Sequence, residues 1–198
     1  MDDVIRPWTK VGSRPVGSFR IFDIRSDTRI HPRTGREHDL YVIESVDWVT
    51  ACAVTEDGCL VMVEQFRHGS ESMEIEVPGG MMDADDIDPV ATAVRELREE
   101  TGYTGASAIA LGHMHANAAI MNNKCHTILV TGARLTHPRQ LDAGEDIAVR
   151  LVPLDEVPRL VASGRVRHSI ALAALHHFDL WRRGYLAPMD ARPASPGA

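Results

Sequence analysis

Three glutamates in the run Arg95-Glu96-Leu97-Arg98-Glu99-Glu100-Thr101-Gly102 are spaced so that Glu99 and Glu100 fall three and four residues after Glu96. On a helix that spacing projects all three to one side. Like charges sharing a face repel unless a cation sits among them. Carboxylate oxygens suit a hard cation, Mg2+ or Mn2+. An acidic triplet standing alone is ordinarily a solvated helix face. Here it follows Pro78-Gly79-Gly80 and the acidic loop Asp83-Ala84-Asp85-Asp86. Paired glycines ahead of a helix let the backbone come close to a phosphate or a metal.

Such a triplet needs a helix to present it. Asp88–Thr101 reads as one: Asp88 can cap it, Pro89 suits the first position, and Gly102 fits just past its end. Ala91, Val94, Leu97 and Ala93 give it an apolar face. Upstream, Trp48–Thr55 and Cys59–Phe66 are apolar runs joined by Glu56-Asp57-Gly58, a hairpin-turn signal. Glu74–Val77 is a short extended piece ending at Pro78. Ser18–Ser26 and Asp39–Ser45 are strand-like and flank a polar loop at residues 31–38. Ser107–Met114, Thr127–Leu135 and Ala148–Pro153 read as further strands, Leu154–Ser163 and His168–Arg183 as helices. Residues 1–16, with Pro7 and Pro15, read as an irregular arm. The Pro- and Ala-rich segment 187–198 reads as a disordered tail. The expected class is mixed α/β: one domain over residues 17–186, its mixed sheet sandwiched between helices and preceded by antiparallel strands.

The chain has 198 residues, enough to bury a core without staples, and a net charge of −7. That balance argues against nucleic acid as a partner. A phosphate ligand stays compatible if a metal and a few arginines supply local positive charge. Cys52, Cys59 and Cys125 are odd in number and form no CxxC pair, which argues against a disulfide framework or a zinc site. Neither a signal peptide nor a membrane-spanning run is evident, so the cytoplasm is the expected location.

The run from Pro78 to Tyr103 resembles the signature of the Nudix family. Gly80 matches its first glycine, and Arg95, Glu96, Leu97, Glu99, Glu100, Gly102 and Tyr103 match its second half position by position. The first half departs. Asp86 stands where the pattern has Glu, and one extra residue follows before Arg95. The resemblance implies metals on Glu96, Glu99 and Glu100, aided by the Gly79 carbonyl, with Asp86 as the shortened equivalent of the missing Glu. Glu99 could also take a catalytic part, and Arg95 reads as a clamp on neighbouring carboxylates.

Glu64-Gln65-Phe66-Arg67 and Glu74-Ile75-Glu76-Val77-Pro78-Gly79-Gly80 look like the branch that hydrolyses ADP-ribose and related nucleotide sugars. That likeness places Arg67 on the substrate diphosphate and Glu76 facing the site, with Glu74 as a solvent-facing neighbour. The loop Asp142-Ala143-Gly144-Glu145-Asp146 resembles the one that brings the general base, with Glu145 first and Asp146 second. Trp8 and Trp48 are candidates to stack on the base. The branch also implies a homodimer formed through the strands of residues 17–45. The implied activity is Mg2+-dependent hydrolysis of a nucleoside diphosphate sugar to a nucleoside monophosphate and a sugar phosphate. The competing readings are a sensor that binds the nucleotide sugar without cutting it, and a hydrolase for a dinucleotide or coenzyme A.

Overall fold

The computed structural model describes residues 4–83 and 85–187. The chain divides into two compact units, one built on Met1–Val46 and His115–Asn123, the other on Asp47–Met114 and Lys124–Ala198. Apart from Ala187, the expected tail lies outside the described residues.

In the first unit, β1 (Thr9–Ser18), β2 (Asp23–Ile30) and β3 (Glu37–Glu44) form an antiparallel sheet in that order. Within the arm expected to be irregular, residues 9–16 are therefore strand. Pro15 is tolerated because β1 lies at the sheet edge, where a missing N–H leaves no ladder bond unmade, and the register shifts between Pro15 and Gly17. The strand expected from Ser18 starts later, because Phe19 N–H donates to Phe22 O (2.9 Å) in a turn.

Asp27 is buried at the centre of this sheet. It pairs with Lys10 Nζ (2.8 Å), Arg25 Nε (3.0 Å) and Arg29 Nη2 (3.3 Å) and accepts from Ser13 Oγ (2.7 Å). Led by the Lys10 contact, these partners hold its carboxyl well below the usual aspartate value of 3.8, against the opposing effect of burial. A carboxyl depressed on folding contributes stability above its unfolded pKa and loses it as pH falls through the folded one. Asp27→Asn is expected to lower the melting temperature of this unit at neutral pH by at least ~5 °C. It should also flatten the loss of stability expected of the wild type below about pH 4, as read by thermal melts between about pH 2 and 6. Parallel curves for the two proteins would assign that loss to other carboxylates.

The second unit carries an eight-stranded mixed sheet, with β11 (Ile147–Pro153), β5 (Cys59–Arg67), β4 (Trp48–Thr55), β10 (Lys124–Leu135) and β8 (Tyr103–Thr104) in that order. β4 and β10 run parallel, and the other pairs along that order are antiparallel. β6 (Ser72–Glu76) pairs with β5, β7 (Gly79–Met81) with β4, and β9 (Ser107–His115) with β10. Between Pro78 and Asp88 the sequence gives no expectation of a strand. β7 forms because Gly79 and Gly80 lie flat against Thr50 and Val49.

Side chains alternate across this sheet. Val49, Ala51 and Ala53 of β4 pack with Ile128 and Val130 against Ala93 and Leu97 of α1 (Pro89–Thr101). On the opposite face, Cys52, Leu60, Met62 and Leu129 meet Ala171, Ala174, Leu175 and Phe178 of α3 (Ser169–Arg182), with α2 (Val157–Ala162) beside them. The expected sandwich is thus present, and Cys52 and Cys125 are buried in it as free thiols. Among the described residues, no helix is long and apolar enough to cross a membrane.

α1 starts and stops where its sequence says. Asp88 Oδ1 accepts from Val90 N–H (2.9 Å), Pro89 opens the helix, and Gly102 closes it at φ 78°. A Cβ at position 102 would lie 2.3 Å from His137 O, so both conformation and space require glycine there.

Candidate active site

α1 sets two of its glutamates against the Pro78-Gly79-Gly80 turn. Glu100 is buried, and its Oε2 accepts from the Gly79 N–H (3.0 Å). Glu96, one turn earlier, lies so close to Gly80 that a Cβ there would stand 2.7 Å from the carboxyl carbon. Glycine at 80 keeps that carboxylate's place clear. Burial pushes Glu96 up to about 7, with Glu99 and Glu145 adding to the rise and Arg95 opposing it. Burial likewise pushes Glu100 up to about 8, with Glu96 and Glu145 adding and the Gly79 N–H and Arg67 opposing. Two neighbouring carboxylates, one buried and one half-buried, that resist joint ionisation form a site that a positive charge would stabilise.

Glu99 turns outward and takes Arg95 Nη1 at 3.0 Å. Arg95 also pairs with Glu96 (2.9 Å), Asp86 (3.2 Å) and Asp83 (3.5 Å). Asp86 Oδ2 accepts from the Asp83 N–H (2.9 Å) and from Arg95, so it touches the helix through that guanidinium. Among the described residues, no three His, Cys, Asp or Glu side chains are drawn together as a metal cage. The donor set nevertheless fits a hard divalent cation. It offers carboxylate oxygens without sulfur or imidazole, and two of the carboxylates repel each other behind a glycine that leaves them room.

Beside these carboxylates opens a cavity of about 710 Å³, lined by Gly79, Gly80, Trp48, Arg67, Glu76 and His168 among others. Arg67 holds Glu76 in a two-point pair, with Nε to Oε1 at 2.6 Å and Nη2 to Oε2 at 3.0 Å. Burial acts to raise the Glu76 carboxyl, but His168 and Arg67 outweigh it and hold it at about 2. The fork expected to grip phosphate is therefore engaged with the protein, and the Nη1 edge of Arg67 remains for a ligand. Trp48 lines the cavity, and its buried Nε1 has no hydrogen-bond partner among the described residues.

Glu74 does not face solvent as expected. It is buried and accepts from Arg167 Nε (2.9 Å) and Ser72 Oγ (2.8 Å). Two residues from Glu76 on one strand, it shares that residue's face, which the segment before α3 covers. Arg167 and His168 are absent from the sequence-based site. The one available signal was the basic run Arg165-Val166-Arg167-His168 ahead of a helix start that lacks a capping residue.

Glu145 lies in an exposed turn, where its Oε2 accepts from the Asp142 N–H (2.9 Å) and its own N–H donates to Asp142 O. Its charge reaches Glu96, Glu100 and Arg67. Trp8 belongs to the first unit, edge-on to His31 (centroids 4.7 Å apart) and His38 (5.4 Å). His126 pairs with Asp47 (3.0 Å).

The chain is similar to known proteins. The chain is 29% identical over 147 residues to an ADP-ribose pyrophosphatase of Bacillus subtilis, covering 74% of this chain and 79% of that one. It is 28% identical over 182 residues to an ADP-ribose pyrophosphatase of Mycobacterium tuberculosis, covering 90% and 86% respectively. A crystal structure of an ADP compounds hydrolase superposes with a TM-score of 0.79 at 18% identity, covering 92% of this chain and 98% of that one, which shows a shared fold. The NUDIX domain profile matches residues 46–174, well over half of the sequence, and spans the glycine turn, α1 and the Glu145 loop. This chain therefore belongs to the NUDIX domain family.

Proposed function

We propose that this protein hydrolyses the diphosphate bond of a nucleoside diphosphate sugar of the ADP-ribose kind, yielding a nucleoside monophosphate and a sugar phosphate. The observation that carries the reading is the pair of glutamates, buried Glu100 and half-buried Glu96, set against the Gly79-Gly80 turn beside a cavity that Arg67 also lines. The two relatives named as ADP-ribose pyrophosphatases support the choice of substrate. A divalent cation, Mg2+ or alternatively Mn2+, would be held by Glu96, Glu99 and Glu100 with the Gly79 carbonyl. It would supply charge neutralisation on the diphosphate and a more acidic water.

The chain's own groups do the rest. The Nη1 edge of Arg67 binds the diphosphate, and Glu76 fixes that guanidinium. Glu145 takes the proton of the attacking water as its oxygen bonds to phosphorus and the bridging P–O bond breaks. Arg95 and Asp86 hold the helix and loop in register. Trp48 offers a ring to the nucleotide within the cavity. The first unit's sheet, with Val11, Val16 and Tyr41 exposed, is proposed as the surface of a homodimer, and the cytoplasm as its location.

The test is a panel of ADP-ribose, other nucleoside diphosphate sugars, a dinucleotide and coenzyme A, each with Mg2+ or with excess chelator and with products separated chromatographically. Release of AMP and ribose phosphate only with the metal is expected. Tight binding of ADP-ribose without turnover would make the protein a sensor instead.

Arg67→Lys should raise KM for ADP-ribose about tenfold and lower kcat/KM in step. A lysine keeps the charge but cannot span both oxygens of Glu76 while presenting a further edge to the ligand. Steady-state kinetics unchanged from wild type would remove Arg67 from the binding site.

A further inference from the structure

We infer that His168 is a positioning residue for the hydrolysis, setting the aim of Arg67 through the carboxylate that both share, Glu76. The inference rests on the reading that Arg67 holds the substrate's diphosphate.

His168 occupies the N-cap of α3 in an extended conformation, but its side chain caps nothing. That position favours Ser, Thr, Asp or Asn, whose oxygen can accept from the first turn's N–H groups. Helix formation therefore does not account for a histidine there. Its Nδ1 stands 2.6 Å from Glu76 Oε2, at ion-pairing distance although the ring is not aligned for a hydrogen bond.

Glu76 is buried, and both of its oxygens serve Arg67. A two-point pair makes guanidinium and carboxylate coplanar, so the direction of Nη1 follows the plane of Glu76. The terminal torsion of a glutamate is broad and soft. Arg67 and Glu76 can therefore swing together unless a third group fixes them, and His168 is that group.

The segment bearing His168 is anchored without it. Arg167 holds Glu74 at 2.9 Å, and Ala171, Ala174 and Phe178 bury α3 against the sheet. Removing the imidazole thus leaves the helix docked and frees the carboxylate.

The experiment is a double-mutant cycle of wild type, Arg67→Ala, His168→Ala and the pair, with kcat and KM measured on ADP-ribose with Mg2+. Dissociation constants for ADP-ribose in excess chelator are taken by calorimetry alongside. His168→Ala should raise KM and the dissociation constant about tenfold, a size ordinary for coupled neighbours, with kcat within threefold of wild type. In the Arg67→Ala background the same change should add less than twofold, because no aim is left to set. A purely structural role would give effects that multiply, or a fall in kcat with KM unmoved, and either result overturns the inference. So does a His168→Ala protein with wild-type constants. If His168→Ala melts below the assay temperature, His168→Phe keeps the ring volume without the nitrogen and is held to the same outcomes. A wild type that binds ADP-ribose but does not cut it would defeat the functional reading alone, since the dissociation constants still judge His168. A wild type that does neither defeats both.

Discussion

Glu100→Gln is expected to lower kcat by about 10³-fold or more while leaving the protein folded. Glu100 is buried against the glycine turn, and its Oε2 accepts from the Gly79 N–H. A glutamine has the same size and keeps an acceptor for that N–H, so the turn and α1 should stay in place. It loses the negative charge that, beside Glu96, makes this corner a site for a dication. A 10³-fold loss corresponds to about 4 kcal/mol of transition-state stabilisation, within the several kcal/mol that charge neutralisation by a metal supplies. The checks are steady-state kinetics across a Mg2+ titration and a thermal melt of each protein. Full turnover by the wild type in excess chelator would sink the proposal outright. Loss of activity with a collapsed melting temperature would mean that the variant had removed the turn's anchor rather than a charge.

Glu145→Gln should cut kcat by about 10²–10⁴-fold, the range for a lost general base, with metal dependence nearly unchanged. The turn that carries Glu145 is held by contacts within itself, whereas the loop before it is pinned to the end of α1. Thr136 and His137 N–H groups donate to Gly102 O, and Gln140 N–H donates to Glu99 O. An anchored stem with a self-contained tip is the arrangement of a loop whose tip can move as a unit. The charge of Glu145 already reaches Glu96, Glu100 and Arg67. Metal titration together with kcat separates it from Glu100, because only Glu100→Gln should shift the metal requirement. Normal turnover by Glu145→Gln would move the base elsewhere, with Asp146 next in line.

Much of the site could be read from local patterns. Asp88, Pro89 and Gly102 delimit α1 by rules acting within a few residues, and the spacing of Glu96 and Glu100 puts both on one face. That Glu99 would turn away to Arg95 was not legible, since the charged groups of the preceding loop decide it. Pro15 read as a break because its edge position, set by pairing with β2, is not visible locally. Glu74 read as solvated for a similar reason, because its cover comes from Arg167, 93 residues away along the chain. Partners at such distances leave no periodic trace, so the α3 end of the site was missed even though its residues are chemically conspicuous.

The parallel pairing of β4 with β10 matches Trp48 to Cys125 and Val54 to Thr131, so nearly eighty residues separate the two halves of this join. Loop-closure entropy must be met before a contact of that span gives any return. On the ribosome, β4, β5 and α1 emerge well before β10 does. Until then Val49, Ala51 and Leu97 lack the support of Ile128 and Val130, and one edge of β4 is open to any other strand. The helix that carries the glutamates is thus made early and seated late. The interval between is when a nascent chain is most exposed to misassembly, and it closes only when the strand after Asn123 has left the exit tunnel.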